Sequence, residues 1–131
     1  ELPGPPCYCG KCGCIETWLS GPGLALDHAG HTGVDSTAVA IAADAADGVA
    51  AARATIERYA NRMARALAGI INVVDPDVIV LGGGISNIDR LYEAVPQCWG
   101  EYVFSDSVET RLVRARHGDS SGVRGAAWLW D

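Results

Sequence analysis

The clearest periodic signal runs from about Val49 to Val74. Ile56, Tyr59, Ala60, Met63, Leu67, Ile70 and Ile71 recur at steps of three and four, which places them on one face of a helix. Arg53, Arg58, Arg62 and Arg65 fall mostly off that face, where solvation is expected. Asp75-Pro76-Asp77 ends the segment, because a residue before proline avoids the helical basin. Upstream, Thr37 to Ala46 is alanine-rich, with Ser36 as its N-cap and Gly48 at its end. Ile15, Trp18 and Leu19 predict a short helix over 14–19. Ser20-Gly21-Pro22-Gly23 then interrupts it, Leu24 to His28 predicts one more helical turn, and 29–35 reads as polar loop.

Downstream, Val78 to Leu81 is a short β-branched run, the pattern of a strand buried on both faces. Gly82-Gly83-Gly84 follows. Asn87 reads as the cap of a helix through Leu91 to about Tyr102, kinked or split near Pro96. Leu112 to Ala115 predicts a second strand, with His117-Gly118-Asp119 as the turn after it. Ser121 caps a last helix whose buried side is Val123, Ala126, Ala127 and Trp130. The order helix, strand, glycine turn, helix, strand, helix predicts an α/β layer.

Composition narrows the function classes. The chain has 131 residues, enough for one domain or one lobe of a larger protein. A net charge of −6 argues against a nucleic-acid partner or an anionic membrane surface, which call for excess Lys and Arg. No apolar run approaches the roughly 20 residues of a membrane span. The opening Glu1-Leu2-Pro3-Gly4-Pro5-Pro6 has neither the basic region nor the apolar core of a signal peptide and no initiator Met, so an interior piece of a longer chain is expected.

The candidate chemistry is concentrated in Cys7-Tyr8-Cys9-Gly10-Lys11-Cys12-Gly13-Cys14-Ile15-Glu16, which holds four of the five cysteines. Thiols this dense are soft ligands of the kind Zn²⁺ takes in a tetrahedral shell, and Gly10 and Gly13 let the backbone turn so that sulfurs converge. Free thiols or oxidised pairs are the alternatives. Cys7 and Cys9 are too close to bridge without strain, and a disulfide framework spreads its cysteines, so a reduced, cytoplasmic protein is expected. Glu16 stands where the loop becomes a helix. An ionised carboxylate there can accept from two sugar hydroxyls or simply stabilise the helix N-terminus. Gly82-Gly83-Gly84 between a strand and a helix can bring bare backbone against a phosphate or nucleoside, or serve only as a tight corner; it is neither a Walker loop nor G-x-G-x-x-G.

The decapeptide resembles the signature C-x-C-G-x-x-G-C-x-E of the ROK proteins, a family of bacterial sugar kinases and sugar-responsive repressors. Residues 71–84 and 118–127 resemble the same family, so the likeness covers nearly the whole chain and is closest to fructokinase- and mannokinase-like members. It implies an α/β fold: the helix-rich C-terminal lobe of an actin-like, ribonuclease-H-like ATPase, with an N-terminal zinc-knuckle loop at 1–16 and the whole chain as one domain. The sugar and ATP would lie in a cleft between two lobes. By the resemblance, Cys7, Cys9 and Cys14 bind a structural Zn²⁺, with a fourth ligand from a histidine upstream of this sequence or from Cys12. Glu16 would contact the sugar, and Gly82, Gly83 and Gly84 the adenosine and phosphates of ATP.

The implied reaction is transfer of the ATP γ-phosphoryl group to a hydroxyl of fructose, mannose, glucose or an N-acetylhexosamine, with Mg²⁺. The aspartate base and the Asp-x-Gly-Gly-Thr phosphate motif of ROK kinases are absent, so no catalytic residue is assigned and these 131 residues alone are expected to be inactive. A homodimer is the family's usual state. Two competing expectations are the sugar-sensing half of a ROK repressor and a stand-alone zinc-knuckle interaction module. His28, His31 and His117 read as surface or loop residues, Cys98 as packing, and Asp119 to Ser121 as a capping turn without chemistry.

Overall fold

In the computed structural model, residues 3–130 are described. Among these described residues six α-helices and two strands follow one another: α1 (Ile15–Trp18), α2 (Gly21–Thr32), α3 (Ala38–Ala46), α4 (Ala50–Val74), β1 (Val78–Leu81), α5 (Leu91–Trp99), β2 (Arg111–Arg114) and α6 (Ser121–Ala127). Short 3₁₀ turns cover Gly84–Asn87 and Trp128–Trp130. The order is the expected α/β one.

α4 is the spine. Ala52, Thr55, Ile56, Tyr59, Ala60, Met63, Ala64, Ala68 and Ile71 form its buried stripe, and α2, α3 and α5 all pack on it. Each fully buried Ile-sized side chain in such a stripe contributes about 1.5–3 kcal/mol. Leu24 of α2, Ile41 of α3 and Leu91 and Val95 of α5 complete the core. α4 stops at Asp75, whose φ of 48° is the only positive value at a non-glycine residue among those described.

β1 and β2 pair in parallel, Val78 opposite Arg111 and Leu81 opposite Arg114. A parallel pair needs a crossover, and α5 supplies it. Ile79, Leu81 and Leu112 face the core, but Val80 is 58% exposed. β1 is therefore covered on one face here, not on both as its sequence suggested.

Several local expectations are corrected. Ser20-Gly21-Pro22-Gly23 begins a helix instead of interrupting one. The Ser20 hydroxyl oxygen accepts from Gly23 N–H at 3.1 Å, and Pro22 sits in the first turn where its missing N–H costs nothing. α2 then runs on to Thr32 and ends on Gly33, which has the left-handed φ of 73°. Thr37, not Ser36, caps α3. Asn87 caps nothing; α5 starts four residues later, with Pro96 inside it. α6 has no buried residue: Val123 is 75% exposed, and the Trp130 side chain lies outside the description.

Candidate functional site

The cysteine loop folds on itself as its glycines predict. Gly10 and Gly13 take φ of 83° and 70°, and Pro6 pairs with Cys12 in an antiparallel bridge. Cys7 N–H donates to Lys11 O at 2.8 Å and Gly13 N–H to Pro5 O at 2.9 Å. The result brings the sulfurs of Cys7, Cys9 and Cys14 within 4.8 Å of one another, with Cys9 and Cys14 Sγ 3.5 Å apart. A tetrahedral zinc with bonds of about 2.3 Å spaces its sulfurs by roughly 3.8 Å, so three ligand positions fit. Cys12 lies outside this group, and among the described residues no histidine joins it.

Protons are shared unequally inside the cluster. The Lys11 backbone, then Cys14, hold the Cys9 thiol below its usual value. The hydrogen bond to Cys9 pushes Cys14 up to about 11. Metal ligation has to remove that proton, since thiolates are the ligands.

Glu16 follows directly, exposed in the first turn of α1. The neighbouring Glu16 carboxylate raises the Tyr8 phenol above its ordinary value. The loop that gathers the sulfurs thus also lies close to the candidate sugar-binding group.

A groove of about 1260 Å³ lies across the lobe. One wall is the alanine face of α3, chiefly Ala38, Ala42, Ala45 and Ala46. Gly84, Ile85 and Ile88 also line it, together with Glu57, Arg90, Asn87 and Asp119. Gly21, the first residue of α2, lines the same groove. Of the three glycines only Gly84 lines it. Gly83, with φ of 74°, is pinned by its N–H to Asp119 O at 2.9 Å.

Sequence reasoning missed part of this arrangement. Asp119, by sequence a plain turn residue, lines the groove and its carboxylate accepts from Asn87 Nδ2 at 3.2 Å. His28 is 7% exposed, with Nδ1 2.9 Å from Thr55 Oγ1, and is no surface residue. Arg58 and Arg62 are not simply solvated either, because both bind the Asp27 carboxylate. Nothing local marks these partners, which sit 27 to 35 residues apart in sequence.

Fold and site together define one lobe of the actin-like ATPase fold, fronted by a thiol-rich loop. The model of the ROK family matches residues 2–131, and the chain belongs to that family. It is 41% identical over 123 residues to the N-acetyl-D-glucosamine kinase of Vibrio parahaemolyticus, covering 94% of this chain and 41% of that protein. Among solved structures, the ROK hexokinase of Thermus thermophilus superposes with a TM-score of 0.78 at 29% identity, over 95% of this chain and 44% of the other. A ROK family transcriptional regulator, homologous to the E. coli MLC protein, superposes at 0.73 with 26% identity, over 87% and 32%. The chain therefore spans about two fifths of the length of the curated relatives it matches.

Proposed function

We propose that this chain is the lobe of an ATP-dependent sugar kinase that carries the zinc knuckle, one sugar contact and the nucleotide groove. Glu16 accepts hydrogen bonds from hexose hydroxyls. Cys7, Cys9 and Cys14 hold a structural Zn²⁺, which supplies rigidity and no reaction step; the cluster's three convergent sulfurs support this. Gly82 and Gly83 shape the corner, and Gly84 presents backbone to the nucleotide. The Mg²⁺ that accompanies ATP and the base that takes the sugar proton act from outside these residues. A hexose class is supported by the relatives' names. The N-acetyl-D-glucosamine kinases at 37–41% identity favour an N-acetylated hexosamine over the fructose and mannose suggested by the motif alone. A reduced cytoplasmic setting and a homodimer belong to the same reading.

The groove between α3 and Gly84 carries the proposal, because a sugar sensor needs no nucleotide site. Titrating AMP-PNP with Mg²⁺ into the zinc-loaded chain tests it by amide NMR. Shifts confined to 38–46 and 82–90 are expected; none anywhere would sink it. The likeness to a transcriptional regulator favours one second reading, a sugar-sensing half. That reading expects sugar-dependent shifts near Glu16 and none from AMP-PNP.

A further inference from the structure

α1 is only four residues long and none of them is buried, yet it bears Glu16. Its inward attachment runs through Trp18. The Arg62 guanidinium, from α4, lies over the Trp18 ring at 4.6 Å from the centroid. Arg62 Nη1 also donates to Asp27 Oδ1 at 2.5 Å, and Asp27, on α2, is 5% exposed. Arg58 takes the other oxygen of that carboxylate at 2.9 and 2.7 Å and reaches Thr55 Oγ1 at 3.1 Å. The guanidinium that stacks on Trp18 is thus itself held by a buried carboxylate between two long helices. A second contact presses α1 from below: a Cβ on Gly23 would stand 2.6 Å from Thr17 O and 2.8 Å from Trp18 O.

Residues two apart on a helix point about 200° apart. Holding Trp18 against α4 therefore turns Glu16 to the open side. We propose that Arg62, clamped by Asp27 and stacked on Trp18, is a positioning residue that fixes the direction of the Glu16 carboxylate and so sets sugar affinity. This rests on Glu16 being the sugar contact. The zinc loop fixes where α1 begins; the Arg62 stack fixes how it is rotated. Trp18 Nε1 has no hydrogen-bond partner among the described residues, and the ring face is what Arg62 meets.

The test uses the whole zinc-loaded chain. Trp18→Leu removes the stack while leaving Asp27, Arg58 and Arg62 joined; Arg62→Lys keeps the charge but loses the flat guanidinium. N-acetyl-D-glucosamine and glucose are titrated calorimetrically, amide exchange is read at 15–19, and zinc content is measured. Both variants are expected to weaken sugar binding about ten-fold, equivalent to about 1.4 kcal/mol, and to speed exchange locally with zinc content unchanged. Affinity within two-fold of the parent, with unaltered exchange at 15–19, overturns the proposal. Glu16→Gln separates the two claims. If it leaves the affinity of the parent chain unchanged, the sugar role of Glu16 falls. The exchange arm still decides the brace: local acceleration upholds it and none overturns it. Should Trp18→Leu unfold globally, Arg62→Lys carries the same two readouts.

Discussion

The N–H of Gly83 donates to the carbonyl oxygen of Asp119 at 2.9 Å, joining the loop that leaves β1 to the loop that leaves β2. Asn87 Nδ2 reinforces it at the Asp119 carboxylate. The three glycines therefore do different work, although in sequence they look equivalent. Gly83 is the conformational one, because its φ of 74° strains any side chain. Gly83→Ala is expected to cost about 1 kcal/mol of stability, read as a fall in Tm of about 4 °C, with or without ligand. Gly84 has open space around a Cβ and no positive φ, but it lines the groove. Gly84→Ala should leave Tm within about 1 °C and weaken AMP-PNP binding about ten-fold by holding the phosphates off the backbone.

The alanine wall of α3 makes an independent prediction. Ala43 is exposed and lines the groove, so a large side chain there fills space without entering the core. Ala43→Trp is expected to reduce AMP-PNP affinity more than ten-fold in calorimetry while changing Tm by less than about 2 °C, as surface substitutions usually do. Unchanged affinity would place the nucleotide elsewhere.

How much of this was legible in the sequence follows from the range of the interactions involved. α4 could be read from Ile56, Tyr59 and Met63, because a single helix face is a local pattern. The thiol cluster could be read because its cysteines lie within eight residues. The α2 boundary was lost because Ser20-Gly21-Pro22-Gly23 has the composition of a break, and only the Ser20 cap turns it into a start. The Asp27, Arg58 and Arg62 cluster was lost because charges on two helices look solvated until the helices are packed. Val80 reads as buried because its run is apolar, but burial depends on what covers the second face.

Zinc binding should separate the four clustered cysteines. Cys7→Ser, Cys9→Ser and Cys14→Ser each remove a converging sulfur and should lower zinc affinity at least ten-fold in a chelator competition; Cys12→Ser should not. Because Cys14 is held up to about 11, its proton is still in place at neutral pH and leaves on metal binding. Apparent affinity should therefore rise with pH from 6 to 9, and unbuffered titration should show proton release. A pH-independent affinity would mean that Cys14 is not a ligand.

The Asp27 cluster ties stability to pH with a definite sign. Burial alone would raise the Asp27 carboxyl, but the hydrogen bonds and charges of Arg58 and Arg62 outweigh it and hold the group below the usual carboxylate value. A carboxylate whose folded value is depressed contributes stability that is fully present above its unfolded value, about 3.9, and is lost as pH falls through the folded one. Tm of the parent should therefore drop more steeply below about pH 4 than that of Asp27→Asn, which has no carboxyl to protonate. At pH 7 the variant leaves Arg58 and Arg62 facing a neutral amide. Both arginines keep some exposure, 30% and 16%, so solvent screens part of the loss. The expected destabilisation is about 2–3 kcal/mol, below the full cost of breaking a wholly buried pair. Parallel pH profiles for parent and variant would show that the two guanidinium groups do not govern that carboxylate.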